Sequence, residues 1–332
     1  MTSPAFTRAI ELTPEHPPEE IADLAALAES VGFEAAFTSS HYFNRDPFVT
    51  LAAMAARTAD LALGPGIVNP YDAHPVTLAA RTATLEEVSG GRAVFGVGAG
   101  DRSTLRTLGI ERERPLRRVL ETATVARDLW AGETVTHEGT FTARDVSLNL
   151  EPCEVPVYVG AQGPDMLRMA GKHADGVLVN ASHPADLEWA SARVAEGAAE
   201  RDGARDPAAV LAWASVSIAE DADAAREAAR PPVAFITGDV APSVLERHGI
   251  DAEAAAAVSE ALERGALGEA FARVTPAMLD AFAVAGTPEM VTERFASMLE
   301  TVDGVVVGSP LGPDLEVGIE LAATALERVS RS

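Results

Sequence analysis

Eight short apolar runs alternate with helical stretches along 332 residues, and the order never breaks. The runs lie at 6–12, 33–38, 61–63, 92–98, 155–161, 176–180, 211–218 and 304–307. They lack the polar–apolar alternation of a half-exposed strand, which suits parallel strands covered on both faces. Helices open on prolines and acids, as at Pro17-Pro18-Glu19-Glu20, and close on glycine, as at Gly32 and Gly90-Gly91. The count and the length favour an α/β chain folded as a (β/α)8 TIM barrel, a single domain over 1–332. Residues 133–150 lack a helical period and read as a hairpin excursion. Residues from about 221 to 283 are helical, Ala-rich and longer than one crossover needs, so a helical insertion before the last strand is expected. The runner-up is a Rossmann-like sheet, prompted by Gly96-Val97-Gly98-Ala99-Gly100. Its fingerprint requires a third glycine where this chain has Asp101, so that match fails.

The third strand is irregular. In Leu63-Gly64-Pro65-Gly66-Ile67-Val68-Asn69-Pro70-Tyr71-Asp72-Ala73-His74-Pro75, glycines and prolines interrupt the apolar run. One reading is a strand followed by a tight loop. The other is a strand end bent to press backbone against a flat ligand, a common use of glycine within a strand. In a barrel the residues after each strand line one mouth. Here these are Glu11; Ser39, Ser40 and His41; Gly66 to Tyr71; Gly98 to Asp101; Gly160 to Pro164; Asn180 to Ser182; and Gly308 to Pro310. Gly160-Ala161-Gln162-Gly163-Pro164 leads into a helix N-terminus, a natural phosphate site. Glu11 and Asp101 would project into the mouth, where a carboxylate serves as proton donor if burial raises its pKa, or else pairs with an arginine or a backbone N–H. His41, His74, His173 and His183 fall on separate loops without metal-ligand spacing, and no G-x-S-x-G nucleophile elbow occurs.

Composition narrows the partners. The formal net charge is −24 and Lys172 is the only lysine, which argues against nucleic-acid binding. An acidic, Ala-rich, lysine-poor chain matches proteins of salt-in halophiles, where molar salt screens the self-repulsion. Cys153 is the only cysteine, so neither a disulfide framework nor a cysteine-cluster metal site can form within the chain. No apolar stretch is long enough for a bilayer, and the first residues run straight into a strand. A cytoplasmic protein without signal peptide is expected.

Five segments, in order, carry a resemblance. They are Gly64-Pro65-Gly66-Ile67-Val68-Asn69-Pro70-Tyr71 with His74-Pro75; Gly96-Val97-Gly98-Ala99-Gly100-Asp101; Gly160 to Pro164; Asp175 to Ser182; and Val307 to Asp314. With these the chain resembles the bacterial-luciferase-like superfamily of flavin and coenzyme F420 barrels. Within it, the chain is most similar to the F420-dependent methylenetetrahydromethanopterin reductases, in a haloarchaeal form. The resemblance implies a bulge after the third strand with a non-prolyl cis peptide at Gly66–Ile67 that backs the deazaflavin ring, flanked by Val68 and Asn69. It places Ser40, His41 and Gly98 near the cofactor, and Gly160, Ala161, Gly163, Asn180, Ala181 and Ser182 on its phosphate side. Glu11 matches the proton donor to the pterin, and Asp101 and Gln162 match residues near the reacting centre. No metal is implied. Two departures stand out: Ser40-His41 replaces Asp-His, and Ala99 replaces a proline. The implied activity is hydride transfer from reduced F420 to the methylene carbon of a methanopterin or folate carrier, in a homodimer or homotetramer. An FMN-dependent monooxygenase and a catalytically silent barrel with a binding role are the alternatives.

Overall fold

The computed structural model describes residues 6–40, 44–201, 203 and 206–330. Strands and helices alternate as the apolar runs predict. The first part of the chain builds β1 (Arg8–Glu11), α1 (Pro18–Ser30), β2 (Ala35–Thr38), α2 (Pro47–Ala55), β3 (Ala62–Pro65), α3 (Pro75–Ser89) and β4 (Phe95–Gly98). There follow α4 (Arg102–Thr107), α5 (Pro115–Trp130), a hairpin of β5 (Val135–Glu138) and β6 (Thr142–Val146), then β7 (Val157–Gly160), α6 (Pro164–His173), β8 (Gly176–Asn180) and α7 (Pro184–Ala198). The last part holds β9 (Ala209–Ile218), five helices α8 (Ala222–Asp239), α9 (Pro242–Arg247), α10 (Ala252–Glu263), α11 (Leu267–Arg273) and α12 (Pro276–Phe282), then β10 (Val284–Gly286), α13 (Pro288–Leu299), β11 (Gly304–Leu311) and α14 (Leu315–Ser330). Helix starts follow the capping rules. Asp46, for example, accepts from the N–H of Phe48 at 2.9 Å and of Val49 at 3.1 Å, with Pro47 at the first helical position of α2.

Two compact units divide the chain, residues 1–179 with 189–211, and residues 180–188 with 212–332. In the first, β1 pairs β2, β2 pairs β3, β4 pairs β7 and β7 pairs β8, all parallel. Bridges Leu63–Ala93 and Val68–Val97 join β3 to β4. The strands therefore lie side by side in chain order, the pattern of successive right-handed βα units. In the second unit β9 lies beside β11 and also pairs β10, parallel. Among the described residues β1, β2, β3, β4, β7, β8, β9 and β11 are the eight parallel strands of a luciferase-type (β/α)8 barrel, with the expected helical insertion before the last one. The insertion has its own core, in which Val233, Val258, Met278, Leu279 and Phe282 are buried. The β5–β6 hairpin is antiparallel and falls within the expected excursion. No helix among the described residues is long and apolar enough to cross a membrane.

Candidate active site

The irregular third strand is a bulge. From the Leu63–Ala93 bridge to the Val68–Val97 bridge the chain advances five residues on one side and four on the other. One extra residue on one strand defines a β-bulge. On its flanks, the Gly66 N–H donates to Thr38 O at 2.9 Å and the Val68 N–H to Gly96 O at 3.0 Å. The peptide bond inside the bulge, Gly66–Ile67, is cis. A tight loop does follow the strand, and the strand end is bent.

The concave face of the first unit can be read from its aromatic rings. Phe37 on β2 and Tyr158 on β7 are fully buried, and their ring centroids lie 6.3 Å apart although β3 and β4 separate their strands. Only side chains on the inside of a curved sheet can meet in this way. Strand register extends the face, because register partners share it and side chains alternate along a strand. Glu11 pairs with Phe37, and both Gly96 and Gly176 pair with Tyr158. One step further toward the strand ends come Ser39, two residues past Phe37, and the partners Gly98 and Gly160. Phe37 and Tyr158 thus form a floor. Glu11, Ser39, Gly98 and Gly160 share its face at the ends of their strands, where the bulge brings Ile67 over the two glycines.

Glu11 is 8% exposed, and its Oε1 accepts from the Thr13 hydroxyl at 3.2 Å. Ser39 is 6% exposed, and its hydroxyl has no hydrogen-bond partner among the described residues. A buried polar group in that state costs about 1–3 kcal/mol and calls for an explanation. Ser39 was expected to line the mouth, but no role toward a ligand was assigned to it. The signal that finds it is its parity with Phe37 on the same strand. Arg112 was missed: its Nη1 donates to Gly100 O at 2.9 Å while its Nε is buried without a partner among the described residues.

The loop after the bulge is fastened from outside. Asn69 is buried, and its Oδ1 accepts from the N–H of Tyr71 at 3.0 Å and of Asp72 at 3.3 Å, an Asx turn. The side chain of Asn69 also packs against Gly100, whose φ of +71° suits glycine. The Arg118 guanidinium sits 4.8 Å from the Tyr71 ring centroid and donates to Pro70 O at 2.8 Å and to Thr140 O at 3.1 Å. His74 caps α3 through Nδ1 and reaches Thr142 O through Nε2 at 3.1 Å. The hairpin that receives these bonds rests on Glu121. Burial works to raise the pKa of Glu121, but hydrogen bonds from Thr140, Arg117 and His137 outweigh it and pull the value down to about 2. A carboxylate depressed from 4.5 stabilises the fold above its unfolded pKa, and the contribution fades as pH falls from about 4.5 toward about 2. Glu121→Gln should therefore melt earlier than wild type at neutral pH, with the gap closing across that acid window. Thermal melts at several pH values check this; a gap independent of pH would contradict it.

The remaining expected site residues occupy varied settings. Asp101 is exposed and caps α4, accepting from the Thr104 N–H at 2.5 Å and the Ser103 hydroxyl at 2.8 Å. Burial opposes the shift, yet the bonds from Thr104 and Ser103 hold its carboxyl below its ordinary range, so it is an anion at neutral pH. Ser40 is half-buried, while Gln162 and Gly163 are exposed, with Gly163 at the N-cap of α6. The Ala161 N–H donates to Leu178 O at 3.0 Å. His41 lies outside the described residues. In the second unit Asn180 is exposed, the Ala181 N–H donates to Trp213 O at 3.1 Å, and the buried Ser182 hydroxyl accepts from the Ser215 N–H at 3.0 Å. His183 in that unit meets His248 edge to face at 4.7 Å, and His248 bonds Asp186 at 2.7 Å. Burial, then the charges of Arg294 and His248, lower the His183 pKa, so it is neutral at neutral pH. Among the described residues no group of His, Cys, Asp and Glu could hold a metal ion.

Residues 1–303 match the family model described as luciferase-like monooxygenase. The chain belongs to this luciferase-like family. Within the family it is 42% identical to the 5,10-methylenetetrahydromethanopterin reductase of Archaeoglobus fulgidus over 94% of this chain and 96% of that one. It is 41% identical to the enzyme of the same name from Methanolobus tindarius, over 95% of this chain and 98% of the other. Among solved luciferase-like structures, the coenzyme F420 dependent tetrahydromethanopterin reductase from Methanopyrus kandleri superposes with a TM-score of 0.92 at 38% identity, covering 98% of this chain and 99% of that one.

Proposed function

We propose that this chain is a coenzyme F420-dependent oxidoreductase that reduces the methylene group of a one-carbon pterin, 5,10-methylenetetrahydromethanopterin or its folate counterpart. Similarity to two reductases of that name, over more than nine-tenths of both chains, carries the reading. The site's chemistry supports it. A flat cofactor needs an apolar platform with polar groups at its edge. Ile67 is a half-exposed apolar side chain on the bulge, and the Ser39 hydroxyl is buried on the neighbouring strand with no partner among the described residues.

Reduced F420, when bound, supplies the hydride. The protein's part is position and one proton. Ile67 would support one face of the ring from the bulge, which the bonds of Gly66 N–H to Thr38 O and of Val68 N–H to Gly96 O hold in place. The Ser39 hydroxyl meets a polar group of the ligand. The loop Gly160 to Gly163 would hold the cofactor's phosphate side. Glu11 gives its proton to the pterin nitrogen whose bond to the methylene carbon breaks, and the Thr13 hydroxyl orients its carboxyl group. Asp101, anionic and fixed at the head of α4, and Gln162 orient the substrate.

Turnover tests the reading. Wild-type protein given reduced F420 and a methylene-pterin should oxidise the cofactor and release methyl-pterin. Oxygen consumption with reduced FMN, and no response to F420, would favour a monooxygenase instead.

A further inference from the structure

We propose that Gly98 and Gly160 are positioning residues that act through Ile67: their missing side chains form the seat that sets the height of the platform under the cofactor. The proposal rests on the F420 reading above and assigns these two glycines a different task from close approach to the ligand.

The geometry is specific. A Cβ built on Gly98 would lie 2.9 Å from Ile67 Cδ1 and 2.9 Å from Cγ1. A Cβ on Gly160 would lie 3.1 Å from Ile67 Cγ2, 3.3 Å from Cγ1 and 3.8 Å from its Cβ. Carbon atoms in contact prefer about 3.5–4.0 Å, so either methyl must push Ile67 away. At Gly160 all three nearest atoms belong to Ile67. Neither glycine has the positive φ that would itself forbid alanine. The space above the two strand ends is thus already taken by Ile67, and a ligand cannot use it. The requirement for glycine at these positions comes from one side chain, which the bulge of the third strand brings over two neighbouring strand ends. A methyl at either position would raise Ile67 into the volume of the ring it is meant to support.

The experiment is a double-mutant cycle read in two ways, by F420 affinity from fluorescence quenching and by Tm. Gly98→Ala is expected to weaken F420 binding about tenfold, as overpacking at one contact does, and to lower Tm. In an Ile67→Ala background, which lacks both Cγ1 and Cδ1, Gly98→Ala should cost little further affinity or Tm. A Gly98→Ala cost as large in the Ile67→Ala background as in wild type overturns the proposal, because a glycine needed for direct ligand contact does not depend on Ile67. So does a Gly98→Ala variant with wild-type affinity. If Gly98→Ala fails to fold, Gly160→Ala, whose contacts are looser, runs the same cycle: its cost should largely vanish in the Ile67→Ala background, which lacks Cγ1 and Cγ2, and a cost that persists there overturns the proposal. Wild type that binds no F420 removes the cofactor reading first and with it the platform role. The Tm arm then still decides separately whether the glycines seat Ile67.

Discussion

Glu11→Gln is expected to lower turnover by about 10²–10⁴-fold, the usual contribution of a positioned general acid, while F420 affinity stays within a few-fold of wild type. The reasoning starts from location. Glu11 closes β1, is 8% exposed, and shares a face with the Phe37–Tyr158 floor. Glutamine keeps the size, the planar group and an oxygen able to accept from the Thr13 hydroxyl, so the site should retain its shape. It has no acidic proton to give. A carboxylate with a purely structural role makes the reverse forecast: earlier melting with near-normal turnover. Rate and Tm measured on the one variant separate the two roles.

Gly96→Ala should be among the most destabilising single substitutions in the chain, costing upwards of about 3 kcal/mol. A Cβ there would fall 1.8 Å from Pro65 O. That atom is backbone at the start of the bulge, and it cannot yield as a flexible side chain can. The shift should reach roughly 4 °C or more in Tm, given an unfolding entropy that grows with chain length. Gly268→Ala is the matched comparison. It lies inside α11 with nothing within 4 Å of an added Cβ, so alanine should be neutral or slightly stabilising. Equal melting temperatures for the two variants would refute the packing account of the bulge.

Much of the architecture was legible from one sequence. Buried parallel strands are short and uniformly apolar, and proline and glycine punctuate the helices, so all eight barrel strands fell where the apolar runs lie. Two elements were not visible. The strand β10 has three residues, too few to show a period, and follows directly on the apolar end of α12. Helix α4 has six residues and buries only Leu105, too little to show an apolar face. Asp101 three positions before Thr104 is a helix-start signal and the one mark of α4 in the sequence.

The site was legible in its parts but not in its packing. The bulge and the cis Gly66–Ile67 peptide followed from the resemblance. That Gly98 and Gly160 make room for Ile67 did not, because the contact joins residues from three strands and glycine carries no mark of what replaces its side chain. The floor is a pair of residues 121 positions apart by number, Phe37 and Tyr158, which no local pattern connects. The acidic character of the chain was clear from composition alone, since net charge depends on no contact.

The measurement that bears most directly on the central claim is hydride tracing in the turnover reaction. Wild-type protein is supplied with reduced F420 carrying two deuteriums at the reactive C5 position and with a methylene-pterin, and the product is examined by mass spectrometry. F420-dependent reduction predicts one deuterium in the methyl group of the product, in step with oxidation of the cofactor. Unlabelled product, or an unreacted mixture in which FMN and oxygen alone are consumed, would contradict it.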